Sequence, residues 1–212
     1  MTGWILRAFA ARDQVTMTVL FKAMVLPVVE YCCQLWSPRK QYLIRNIEAI
    51  QRHFTAKMEG MNGLSYRQRL AKLNMYSLER RRDRYTVIYL WKILQGQAPN
   101  MLGNDQIRTV ENPRLGRLCL LPPLNNKSSK HIQTLRENSF SVFAPKLFNE
   151  LGPDLRNFNG SMEAFKNRLD CFLQTIKDEP HDPEEPPMAA SNSLRDQIVS
   201  KRMASRSNPT IT

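Results

Sequence analysis

The sequence predicts a mainly α-helical protein: an irregular helical bundle with one or two short strands in the middle and a disordered C-terminal tail. Three observations carry this reading. Apolar residues recur at helical spacing through most of the first 95 positions. Serines, glycines and prolines stand where helices start and stop. Beyond Lys177 the chain turns acidic and proline-rich, and DEPHDPEEPPMAASNS holds five acids and four prolines in sixteen residues.

The elements follow in order. From Asp13 to Met24, residues Val15, Val19, Leu20 and Met24 recur at helical spacing. Pro27 can open a new helix, because its missing N–H is no loss at a first position. Val28 to Trp36 is apolar on most sides and is expected to be buried, with Ser37-Pro38 ending it. In the next helix Leu43, Ile47, Ile50, Phe54 and Met58 form one apolar stripe, and Gly60 and Gly63 bracket the turn after it. Ser65-x-x-Gln68 has the capping-box pattern, in front of Leu70 and Leu73. Ser77 caps a long helix that Gly96 stops, with Pro99 beyond.

Helical periodicity is lost from about 99 to 135. Arg117 to Leu121 reads as one short strand and Ser139 to Phe143 as another. Helix returns from Pro145 to Leu151 and stops at Gly152-Pro153. Ser161 caps a last helix whose stripe is Phe165, Leu169, Phe172 and Ile176. The expected organisation is therefore a basic helical region over 1–98, a mixed helical region over 99–177 packed on it, and a disordered tail over 178–212.

Several classes of function fail on chemistry. No run of about 18 apolar residues exists to span a membrane, and the start MTGWILRAFAARDQ lacks a signal-peptide apolar core. Cys32, Cys33, Cys119 and Cys171 contain no C-x-x-C spacing, and His53, His131 and His181 lie far apart, so no zinc pattern exists. The adjacent Cys32 and Cys33 read as buried thiols of a protein in a reducing, intracellular compartment, nucleus or cytoplasm. Two-metal phosphoryl transfer needs clustered carboxylates. The chain offers two adjacent acidic pairs, Asp178-Glu179 and Glu184-Glu185, both in the acidic, proline-rich stretch after Lys177. Phosphate loops and nucleophile elbows are absent as well. No catalytic residue, metal, cofactor or small-molecule substrate is expected.

What remains is charge. The 212 residues carry 31 Lys and Arg against 19 Asp and Glu, a net of +12. From Arg39 to Lys92 there are 13 Lys and Arg against 4 Asp and Glu, a net of +9. The densest part is Arg80, Arg81, Arg82 and Arg84 on one helix, followed by Tyr85, Ile88 and Trp91, which are expected in the core. A basic helix of this kind can lie along a phosphate backbone. The candidate contacts are Arg52, Arg67, Arg69, Arg80, Arg81 and Arg84.

Six segments in fixed order carry a family resemblance: LFKAMVLPVVEYCCQLWSP (20–38), IEAIQRHFTAKM (47–58), LSYRQRLAKLNMYSLERRRDRYTVIYLWKILQG (64–96), GRLCLLPPL (116–124), LRENSFSVFAPKLFNEL (135–151) and LRNFNGSMEAFKNRLDCFLQTIKDEP (155–180). Together they resemble the C-terminal part of reverse transcriptases of non-LTR (LINE-type) retrotransposons, over about Trp4 to Arg195. The matched region looks like the thumb and the helical stretch after it. The resemblance implies a grip on template–primer RNA or RNA–DNA hybrid, and a polymerase palm as partner. The palm's metal-binding aspartates have no counterpart here. It points to Gln51, Arg52, Arg69 and the arginine run as contacts, and to Trp36, Leu70 and Leu78 as core. Gly152-Pro153 departs from the family's Leu-Pro at that point. Two other readings stand beside this one: an inert remnant of a transposon reading frame, and a helical interaction module reused by its host.

Overall fold

The computed structural model describes residues 1–99, 108–112, 117–121, 130–183 and 191–207. The chain is mainly helical, and it divides into two compact units. The first comprises Met1–Arg82 with Asp178–Asn192, the second Asp83–Lys177 with Ser193–Thr212. This division differs from the expected one at residue 98. It falls inside a helix, because tertiary contacts rather than loops decide which residues belong together.

In the first unit, α1 (Thr2–Ala8) precedes α2 (Gln14–Leu20), whose first turn is capped by Asp13 accepting from the Thr16 amide at 2.8 Å. A π-helical turn (Phe21–Val25) leads into α3 (Leu26–Glu30), with Pro27 in its first turn. The wider turn has a local cause. Proline has no N–H for the carbonyl four residues back and its ring crowds that carbonyl. The Leu26 amide instead reaches the carbonyl of Phe21. The core face is Met17, Phe21 and Val25, whereas Val15 and Val19 are 75% and 58% exposed. The expected stripe is thus displaced, since QVTMTVLFKAMV is apolar on more than one side.

Tyr31 and Cys32 break the helix, with Cys32 in the left-handed region at φ 49°. Then come α4 (Cys33–Trp36) and α5 (Gln41–Thr55). The segment expected to be buried is largely in solvent. Val28, Tyr31, Leu35 and Trp36 are 60%, 75%, 86% and 42% exposed, and only Cys33 within it is buried. On α5 the buried residues are Ile44, Glu48, Gln51, Phe54 and Thr55, while Leu43 is exposed and Ile47 and Ile50 are half-buried. The face is rotated relative to the apolar stripe because two polar side chains, Glu48 and Gln51, have partners inside. Phe54, Met58 and Met61 join Ile5, Met17, Phe21, Val25, Leu26 and Leu78 in one cluster, with the Phe21 and Phe54 rings 5.0 Å apart.

α6 (Tyr66–Leu73) opens with the expected capping box between Ser65 and Gln68. α7 (Leu78–Leu94) follows and contributes its first residues to this unit and the rest to the second. Gly96, at φ 67°, takes the left-handed conformation that ends it.

In the second unit, β1 (Arg108–Asn112) and β2 (Arg117–Leu121) pair antiparallel, Val110 opposite Cys119. The strand expected at 139–143 is instead the start of α9 (Phe140–Glu150), which follows α8 (Lys130–Glu137). Ser139 takes the extended conformation of an N-cap there, and Pro145 lies within the helix. The β-branched and aromatic residues of SFSVF suggested a strand. Packing on a helical face, with Val142 and Ala144 buried and Phe140 and Phe143 half-buried, overrides that propensity. Asn149 clasps β2 by accepting from the Leu120 amide at 3.0 Å and donating to its carbonyl at 2.8 Å. Next are α10 (Pro153–Arg156) and α11 (Met162–Gln174), the latter capped by Ser161 as expected. Trp91 stacks on Phe165 at 4.6 Å and donates its indole N–H to the Phe158 carbonyl at 3.2 Å, so it is core.

Residues 178–207 are not uniformly a tail. Residues 178–183 are tied into the first unit, and α12 (Leu194–Ser207) belongs to the second, starting where the Leu194 amide donates to Asp83 at 3.0 Å. The reason is chemical: Asp178 and Asp182 each satisfy a helix N-terminus, as described next. Glu184 and Glu185 lie outside the described residues.

Candidate nucleic-acid interface

Of the six arginines read from the sequence as contacts, Arg69 and Arg80 are buried and Arg52, Arg67, Arg81 and Arg84 are half-buried. Their positions follow from how α6 and α7 begin. A helix leaves its first amide donors without intrahelical partners and carries a partial positive charge there. At α7 the Ser77 amide donates to Asp178 at 2.7 Å, and the Ser77 hydroxyl donates to the other oxygen of that carboxylate at 2.8 Å. The Leu78 and Glu79 amides donate to the two oxygens of Glu48 at 3.0 and 3.2 Å. The Arg80 amide donates to the Ser77 hydroxyl at 3.0 Å. Every early donor of the helix is thereby matched. Asn192 bridges the group, its amide nitrogen 3.2 Å from Glu79 and 3.1 Å from Asp178. At α6 the Tyr66 amide donates to Asp182 at 2.6 Å. The protein fills its own anion-binding helix ends with its own carboxylates.

Glu48 is the centre of this seam. It is buried, and it also accepts from the Tyr66 hydroxyl. Burial raises its pKa above the usual glutamate value, opposed by the Tyr66 hydrogen bond and by the Arg82 guanidinium. The Tyr66 phenol is pushed well up, first by burial and then by the Glu48 charge.

Around that seam the basic residues are placed one by one. Arg80 and Arg82 are 0% and 2% exposed. Arg81 holds Glu30 by a two-pronged ion pair whose second contact is 3.1 Å. In the second unit Arg84 holds Asp170 the same way, at 2.6 and 2.7 Å. Arg69 is buried and donates to the Leu64 carbonyl, the Thr55 hydroxyl and the Arg52 carbonyl. Arg67 donates to the Pro180 carbonyl at 3.0 Å. Gln51, also expected as a contact, is buried and donates to the Tyr76 carbonyl. Arg69 and Arg80 are thus corrected from surface contacts to buried residues, whereas Arg67, Arg81 and Arg84 are half-buried, each with a partner within the fold. For Arg69 the physical reason is that a guanidinium with carbonyl and hydroxyl partners in a low-dielectric interior is held there more firmly than in water.

Arg52 is half-buried as well and stands at the edge of the α5 solvent face, with its Nη1 atom buried. At about 100° per residue, Tyr42, Arg45, Asn46, Ala49, Arg52 and His53 fall within an arc of about 120°. Tyr42, Arg45, Asn46 and His53 are exposed, as are Lys40 before the helix and Lys57 after it. Between residues 31 and 58 the sequence has one acid, Glu48, and it is buried. This stretch therefore exposes no carboxylate. Burial lowers the pKa of His181, and Arg45 and Arg52 lie close enough to lower it further.

Sequence reasoning passed over Arg45 and Lys57 because they stand singly, whereas the arginine run attracts the eye. The signal that could have found them is the position of Glu48: a helix whose one acid faces inward has a purely basic outer face. Among the described residues no group of three or more His, Cys, Asp or Glu could hold a metal ion. No helix among them is long and apolar enough to cross a membrane.

No protein-family model matches this chain, no curated protein matches it, and no solved structure matches it.

Proposed function

We propose that this chain is a non-catalytic nucleic-acid-binding module. It would hold RNA or RNA–DNA hybrid by the phosphate backbone, as the thumb of a non-LTR retrotransposon reverse transcriptase does on the resemblance described above. The observation that carries the reading is the solvent face of α5 with its flanks: Lys40, Arg45 and Lys57 are exposed, Arg52 is half-buried at its edge, and the one acid between residues 31 and 58, Glu48, is buried. Such a row suits a polyanion that presents regularly spaced charges without reference to base sequence. The net charge of +12 supports the same reading at long range, because it raises the encounter rate with any polyanion.

The test is a titration of the full chain with a labelled RNA–DNA hybrid at about 50 and about 200 mM salt. Phosphate contacts displace counterions, so each one adds about 0.9 to the slope of log K against log salt on a duplex. With three or four contacts, affinity should fall roughly 40- to 150-fold across that fourfold change in salt. Binding that is absent, or indifferent to salt, would overturn the proposal.

A further inference from the structure

We infer that the junction between α3, α4 and α5 is a base-stacking platform, and that it directs this module to unpaired strands. The inference rests on the nucleic-acid reading above and adds the class of strand. Three aromatics stand in solvent within twelve positions: Tyr31 at 75%, Trp36 at 42% and Tyr42 at 58% exposure, with Leu35 at 86% beside them. Folding ordinarily removes such surface from water, and a buried aromatic is worth more to a core than to a rim. Here the chain turns it outward. The left-handed Cys32 ends the α3 path directly after Tyr31, and the Trp36 indole donates to the Tyr31 carbonyl at 2.6 Å. That bond fixes the indole against the turn, so the ring is held out rather than loose.

Charge names the occupant. A patch made for a protein partner has an apolar centre depleted of charge. This one is interleaved with exposed Lys40 and Arg45, and the one acid between residues 31 and 58 is buried. Aromatic faces alternating with cations suit a strand whose bases are free to stack and whose phosphates run alongside. In a duplex the base faces are already covered by their neighbours, so a paired strand can use the cations but not the rings. The platform therefore favours single-stranded RNA or DNA, or the unpaired end of a hybrid.

The experiment compares the full chain with a Tyr31→Ala/Tyr42→Ala double variant and, separately, with Trp36→Phe. Each is titrated by fluorescence anisotropy with a single-stranded RNA of about 20 nucleotides and with the same sequence in an RNA–DNA hybrid. Both tyrosine rings are exposed, so the double variant should keep its circular dichroism and melting profile. Stacking contributes about 1–3 kcal/mol per base, so the double variant should bind the single strand at least tenfold more weakly. Hybrid binding and the salt slope should stay unchanged, and Trp36→Phe, which keeps a ring, should lose less. A double variant that binds the single strand as the wild type does would overturn the platform while leaving salt-dependent hybrid binding intact. A wild type that binds neither nucleic acid would overturn both readings. Wild-type oligomers that the double variant dissolves, with RNA binding unmoved, would also overturn it, by showing the rings to be a protein contact.

Discussion

Helices α5 and α7 are both rich in arginine, and they use it in opposite ways. On α7 three arginines lie against or near carboxylates: Arg81 meets Glu30, Arg84 meets Asp170, and Arg82 lies near Glu48. On α5 the single acid is turned inward to cap another helix, which leaves the outer face basic. The helix with the denser charge therefore offers less of it to a partner. What decides the matter is the placement of a few acids, since an arginine with a carboxylate against it is already neutralised.

The largest effect expected from breaking this contrast is on stability, at Glu48. Glu48→Ala leaves the Leu78 and Glu79 amides and the Tyr66 hydroxyl without their acceptor. The loss should be about 3 kcal/mol or more, read as a lower midpoint in urea unfolding. Glu48→Gln keeps an acceptor oxygen and should lose about half as much.

The pH dependence of the same site has a definite sign. Burial raises the folded pKa of Glu48 above its ordinary value, so the folded protein binds this proton more tightly than the unfolded chain. Its contribution to stability is fully present below the unfolded pKa and is lost as pH rises through the folded one. Wild-type stability relative to Glu48→Gln should therefore fall as pH climbs from about 4 through the raised value. Chemical denaturation across that range checks it, and a rise over the same window would contradict the burial of a raised carboxyl.

A smaller effect is expected at Arg84. The pair with Asp170 is partly exposed, so Arg84→Ala should cost about 1 kcal/mol and leave nucleic-acid affinity within about twofold. The smallest concerns thiol chemistry. Burial, with Glu30 nearby, pushes the Cys33 thiol up to about 11, whereas Cys32 and Cys171 are exposed. Brief alkylation near pH 8, mapped by peptide mass spectrometry, should modify Cys32 and Cys171 and spare Cys33 until the chain unfolds.

Much of the fold was legible because it is written in local patterns. The capping serines at 65, 77 and 161, the Gly96 stop, the strand Arg117–Leu121 and the core position of Trp91 each follow from a few neighbouring residues. The site was less legible, since its arrangement depends on partners far apart in sequence. Arg81 and Glu30 are separated by 51 positions, Arg84 and Asp170 by 86, Ser77 and Asp178 by 101, and Tyr66 and Asp182 by 116. No periodicity reports such pairs. An acidic, proline-rich stretch then reads as a tail although two of its aspartates seat helix ends. A buried Glu48 likewise rotates α5 away from the face its apolar residues would choose.

The most direct test of the central claim sets the two helices against each other in one assay. Arg45→Gln/Lys57→Gln on the α5 side and Arg81→Gln on α7 are compared with wild type for hybrid binding over about 50 to 200 mM salt. The account predicts that the α5 double variant lowers the salt slope by nearly two phosphate contacts, about 0.9 each, with its melting temperature unchanged. Arg81→Gln should lower the melting temperature and leave the slope as it was. A slope that falls for Arg81→Gln and holds for the α5 variant would contradict the account.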